Sequence, residues 1–239
     1  MKLPLRIQRP LWGTVILLAL IGITVVLRRT FNLVPILLNG YTPPAVAPNA
    51  TAAQFAALDG VFARYPVLTL IHIVPGLLFM VLGPLQFSAA LRARLLQWHR
   101  WSGRLYLLSS LIIGVSALVM SIAMPAIGGI TQAVATTLFA LLFLFALARA
   151  YWYVLQRKIA RHREWMIRAF AIGLAVATIR PIIGLFFATS RLSGLAPAAF
   201  FGIAFWIGFV LHLVAAEAWI RWTRPTRLAV AVPTVARLE

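Results

Sequence analysis

The chain has 239 residues, 62% of them hydrophobic and 11% charged, and a mean hydropathy of +0.95, well above the range of water-soluble domains. It carries 22 basic against 4 acidic residues, a formal charge of +18. The arginines fall in short clusters between apolar runs, as in the cytoplasmic loops of a membrane protein, so membrane lipid is the expected partner and nucleic acid is not. No cysteine is present, which excludes disulfides, iron–sulfur clusters and thiolate chemistry.

Six apolar stretches are long enough to cross ~30 Å of hydrocarbon as helices of about 20 residues. They lie near 11–28, 66–88, 105–124, 132–155, 169–189 and 199–222. Lys2, Arg6 and Arg9 precede the first, but no small-residue cleavage site follows Val25-Val26-Leu27-Arg28-Arg29, so it reads as a retained anchor. The expected fold is all-α: one polytopic transmembrane domain over 1–239, with a central four-helix bundle from helices two to five, flanked by helices one and six.

With the N-terminus inside, the cytoplasmic connections and ends hold 17 of the 22 basic residues. Arg28, Arg29, Arg64 and Arg191 lie outside, and Arg180 lies within a helix. Both termini are therefore expected on the cytoplasmic side. The one long connection, 30–64, is extracytoplasmic on this count and carries Pro35, Pro43, Pro44 and Pro48. Within it Thr51-Ala-Ala-Gln54 has the form of a capping box opening a short helix. Lys2 and Lys158, the only lysines, lie outside the apolar runs, which argues against a Schiff-base retinal protein.

A basic cuff precedes the third stretch, His99-Arg100-Trp101-Ser102-Gly103-Arg104, and an echo precedes the fifth, His162-Arg163-Glu164-Trp165-Met166-Ile167-Arg168. Both read as basic turns leading into helices that run the same way, so the two histidines sit at matched depth. From His99, helical spacing picks out Gly103, Tyr106, Ser110, Gly114, Ala117 and Ser121. From His162 it picks out Met166, Ala169, Gly173, Ala177, Arg180 and Gly184. Such small-residue stripes let helices pack closely or leave room for a flat ligand. Two readings stand: packing alone, or a b-type haem held between neutral imidazoles of His99 and His162, with Arg100, Arg104, Arg163 and Arg168 available to its carboxylates. In the second reading Glu164 or a backbone carbonyl would fix a ring tautomer.

Polar groups within a membrane are costly and usually face the bundle interior. His72, in helix two, shares a face with Gly76, Gly83 and Gln86 and is a candidate proton-handling group or ligand; His212, in helix six, reads as a hydrogen-bonded core residue. Arg180 lies near the bilayer midplane, where an arginine costs at least ~2.5 kcal/mol on insertion scales. Neither Glu217 nor Asp59 is an evident counter-ion. It calls either for a buried anionic or carbonyl-bearing ligand, such as a quinone or a haem carboxylate, or for the carbonyls that Pro181 frees in its own helix. Gly83-Pro84-Leu85-Gln86-Phe87 is expected to unwind the last turn of helix two and to point Gln86 at the cuff.

The ordered set His72-x3-Gly76, Gly83-Pro84-Leu85-Gln86-Phe87, His99-Arg100-Trp101-x-Gly103-Arg104-x-Tyr106, His162-Arg163-x-Trp165-Met166-x-Arg168 and Arg180 resembles bacterial membrane proteins of domain-of-unknown-function family 2306, over about 66–185. This resemblance implies a bacterial cytoplasmic membrane and carries no activity with it. The first cuff is also distantly similar to the opening of a haem-bearing helix in the ferric reductase and NADPH oxidase transmembrane domain, a cytochrome b-like arrangement. Helices of that domain carry a second histidine about 13 residues on, where this chain has Ile112 and Ala175, so the likeness implies one haem rather than two. The expectation is a redox protein exchanging electrons with quinone or a partner protein. The rival is a small transporter, sensor or assembly factor binding an anionic solute or lipid. No nucleophile–base pair, carboxylate pair or phosphate loop is present, so enzyme status stays open.

Overall fold

An apolar chain in hydrocarbon must satisfy its backbone internally, and this one does so by helices. In a computed structural model, residues 5–40, 59–194 and 197–224 are described, and the elements are α1 (Leu5–Asn39), α2 (Pro66–Phe87), α3 (Ala89–Arg94), α4 (Leu96–Ala123), α5 (Gly129–Leu155), α6 (Ile159–Ser193) and α7 (Pro197–Thr223). All but the short α3 are long and apolar enough to cross a membrane, so the chain is an integral membrane protein with six candidate spanning helices among its described residues. The capping box at 51–54 lies outside the described residues.

Local chemistry sets the breaks between helices. Pro66 opens α2, where its missing N–H costs nothing. Ser88 caps α3, its Oγ accepting from the Leu91 N–H at 3.3 Å. Gly129, at φ +58°, turns the chain into α5, and the Gly128 N–H is taken by Gln132 Oε1 at 2.7 Å. The turn from α5 to α6 is completed by Arg157 at φ 57°, in the left-handed region that a non-glycine residue seldom adopts.

Several helices run further than the apolar stretches suggest. Both cuffs are helical rather than turns: α4 begins at Leu96 and α6 at Ile159, so His99 and His162 stand in first helical turns. Hydropathy marks where lipid ends, whereas arginine and tryptophan carry no helix-breaking character, and the helices continue into the interface. For the same reason α1 extends through Arg28 and Arg29 to Asn39 and carries Pro35 inside it. The expected unwinding at Gly83-Pro84 is also corrected, since α2 stays helical to Phe87 with Pro75 and Pro84 inside. A spanning helix tolerates such prolines when neighbouring helices cover the freed carbonyls.

In the bundle α2 packs on α4, α4 on α5 and α5 on α6, while α1 lies against α2 and α6, and α7 against α5 and α6. Thus α4 and α6, which carry the paired histidines, stand on the diagonal of the central four. At mid-bundle each of the four contributes one aromatic ring to a single layer. Phe79 of α2 stacks on Tyr106 of α4 at 5.1 Å and meets Phe143 of α5 at 6.0 Å and Phe170 of α6 at 5.7 Å. Glycine makes this layer close: a Cβ on Gly173 or Gly83 would overlap the rings of Phe79 or Phe170. Small residues on the predicted stripes therefore admit aromatic side chains in the middle of the bundle.

Candidate functional site

The aromatic layer divides the polar groups of the interior between two ends. His99 precedes Tyr106 by seven residues and His162 precedes Phe170 by eight, roughly 10–12 Å of helix rise in the same direction. His72 and Arg180 lie beyond the layer on the other side; the 18 residues from His162 to Arg180 span about 27 Å. The eight candidate site residues thus form two groups and not one.

At the first end His99 and His162 are close enough to interact electrostatically, as the parallel starts of α4 and α6 predict. The His162 Nδ1 lies 2.9 Å from the carbonyl oxygen of Ala150 in α5. A carbonyl can only accept, so Nδ1 carries a proton, and in the neutral ring Nε2 is the nitrogen with the lone pair. The His99 Nδ1 is buried and has no hydrogen-bond partner among the described residues. Buried polar atoms of this kind are rare and call for an explanation.

Basic residues crowd this end. Arg92 and Arg100 both act electrostatically on His99, and Arg92 also acts on Arg163. Arg163 donates from both terminal nitrogens to Thr223 Oγ1 at 3.1 Å. Arg168 is committed elsewhere: it forks onto Glu217, with Nη2 to Oε2 at 3.0 Å, and lies over the Trp165 ring at 4.6 Å. Arg104 sits over Trp101 at 4.8 Å, both side chains being exposed on the flank of α4. Glu164 is taken by Arg224, Nε to Oε1 at 2.9 Å, leaving the backbone carbonyl of Ala150 as the group that orients His162. Gln86 does reach the cuff, its Nε2 donating to Ser102 Oγ at 2.7 Å, and Ser102 in turn donates to the Trp98 carbonyl at 2.6 Å. Arg92 escapes a reading by apolar periodicity because it lies in the short α3, outside every spanning stretch.

Beyond the aromatic layer lies a cavity of about 260 Å³ with mostly apolar walls, bordered by Phe79 and Phe143 of the layer and by Arg29, His72 and Arg180. His72 Nδ1 is 2.9 Å from Ser116 Oγ. The single proton of Ser116 goes to the Ile112 carbonyl at 2.6 Å, so His72 donates from Nδ1 and its Nε2 is an acceptor. Asp59 is shared by Arg28 at 3.0 Å and Arg29 at 2.9 Å. Arg180 has no hydrogen bond or ion pair among the described residues, although Arg29 and Asp59 influence it through space. Its guanidinium therefore is not satisfied by the carbonyls near Pro181. Arg29 could have been suspected from an arginine pair following an apolar run, but its place on the cavity depends on helix rotation that a sequence does not give.

His212 is the core residue expected, its Nε2 lying 2.7 Å from Thr178 Oγ1. Among the described residues no group of three or more His, Asp or Glu side chains could hold a metal ion.

Residues 69–220 match the family model described as Predicted membrane protein (DUF2306). No curated protein and no solved structure shows significant similarity to the chain.

Proposed function

The chain belongs to the family Predicted membrane protein (DUF2306), and we propose that it is a redox protein carrying one b-type haem between His99 and His162. The observation that supports this reading is the hydrogen bond that orients His162. Haem-ligating imidazoles typically give their other N–H to a carbonyl or carboxylate, which fixes the tautomer and raises ligand basicity. His162 is held in this way by Ala150, and His99 has a buried nitrogen that no described protein group uses. Arg92, Arg100 and Arg163 would pair with the haem carboxylates and offset their charge within a low-dielectric site.

Two neutral imidazoles from diagonal helices suit a six-coordinate iron, which needs no third protein ligand. Haem, when bound, supplies reversible one-electron transfer at a potential set by its axial ligands and surroundings. Ala150 holds the His162 imidazole by its Nδ1 proton, the neighbouring arginines would neutralise the haem carboxylates, and the aromatic layer would cover one side. The arginine distribution supports a cytoplasmic-side position for this end in a bacterial cytoplasmic membrane, where the haem would exchange electrons with quinone or a partner protein.

The test is the electronic absorption of full-length protein purified from cells supplied with haem precursor. A low-spin, six-coordinate spectrum is expected, lost in both His99→Ala and His162→Ala. A spectrum unchanged in both variants would contradict the assignment.

A further inference from the structure

The cavity on the far side of the aromatic layer lies away from the paired histidines and plays no part in holding the proposed haem. Toward this end Arg28 and Arg29 are both bonded to one carboxylate, Asp59, and Arg29 and Arg180 stand on the cavity wall. Arg180 is thus a cation with no bonded counter-ion among the described residues, on the wall of a largely apolar space. An isolated charge in such surroundings is costly, and a neutral carbonyl ligand would leave that charge standing where an anion would cancel it.

We infer that this cavity binds a monoanionic amphiphile, a carboxylate with a short apolar body, whose head group pairs with Arg180 and whose body lies among Phe79, Phe139, Phe143 and Phe209. Arg29 adds a second positive group near the head. His72, whose Nδ1 is engaged by Ser116, adds a polar group on the same wall, and the ligand enters as its anion with no proton transferred. Volume limits the occupant. An engineered cavity of about 150 Å³ accepts one benzene ring, so 260 Å³ suits one ring or a chain of moderate length and excludes a two-chain phospholipid.

Octanoate is the probe. Full-length protein in phosphatidylcholine nanodiscs is titrated with radiolabelled octanoate, with octanol, acetate and a short-chain quinone as competitors. One saturable site per chain is expected, with each competitor at least tenfold weaker than unlabelled octanoate. Arg180→Gln should weaken octanoate at least tenfold. Gly76→Leu, at a cavity-lining position with no atom within 4 Å of an added Cβ, should block it by filling the space. Arg221→Gln, exposed near the end of α7, should leave it unchanged. Gly76→Leu keeps the test decisive if Arg180→Gln fails to fold. The inference is overturned by absence of saturable binding, by octanol, acetate or the quinone competing as well as octanoate, or by unchanged affinity in either folded cavity variant.

Discussion

The imidazole of His162 on α6 is oriented by the carbonyl of Ala150 on α5, Nδ1 to O at 2.9 Å. The acceptor belongs to the backbone, so no single substitution removes it, and the ring's free nitrogen is always Nε2. A histidine in this setting is prepared to bind through Nε2 at little entropic cost.

Removing the ring should expose that role. In haem-reconstituted protein His162→Ala is expected to give a five-coordinate, high-spin spectrum, and added imidazole is expected to restore the six-coordinate form by occupying the vacated space. Folding stability should fall by about 1 kcal/mol, the usual worth of one hydrogen bond. Spectral titration with imidazole checks this; a variant already six-coordinate without imidazole would show that His162 is not a ligand.

His212 supplies the contrasting case. It is also a membrane histidine with a fixed partner, Thr178 at 2.7 Å, but it stands on the flanking helix α7. His212→Ala should lower stability by roughly 1–3 kcal/mol through the lost bond and the space left behind. The absorption spectrum should not change. Thermal unfolding and the spectrum, measured on one sample, separate the two effects.

Gly173 makes room for the Phe79 ring. Gly173→Ala should therefore cost about 1–3 kcal/mol by overpacking, read as a lowered unfolding temperature. Adding Phe79→Leu should recover part of that loss, because the smaller side chain vacates the space the new methyl needs. A double variant less stable than either single one would show that the layer is not the source of the strain.

The six spans were legible because runs of about 20 apolar residues have few alternatives in a membrane. The faces carrying Tyr106, Ser110 and Gly114 on α4 and Met166, Ala169 and Ala177 on α6 were equally legible from helical spacing, and all six residues are buried. Helix ends were not, because Arg100 and Arg163 mark a polar boundary without breaking a helix, and Pro84 marks a break that neighbouring helices prevent. Arg168 and Glu217, 49 residues apart, find each other only through the packing of α6 on α7. The grouping of His72 and Arg180 with Arg29 likewise rests on helix rotation, which a sequence does not give.

Arg180 bears a cost in the ligand-free protein that a neutral residue of similar length would not. Arg180→Met is expected to raise the unfolding temperature of protein freed of bound amphiphile, in line with the roughly 1–4 kcal/mol often gained when buried ionic groups give way to apolar ones. Differential scanning calorimetry of the two proteins provides the comparison. A lowered temperature would mean that the guanidinium is satisfied within the fold.

The central claim, one haem between His99 and His162, is tested most directly by counting haem b per chain in the purified, full-length protein by its pyridine haemochrome. About one haem per chain is predicted, falling to near zero in the His99→Ala, His162→Ala double variant while His212→Ala keeps its full complement. Haem absent from protein made with ample precursor, or retained in full by the double variant, would contradict the account.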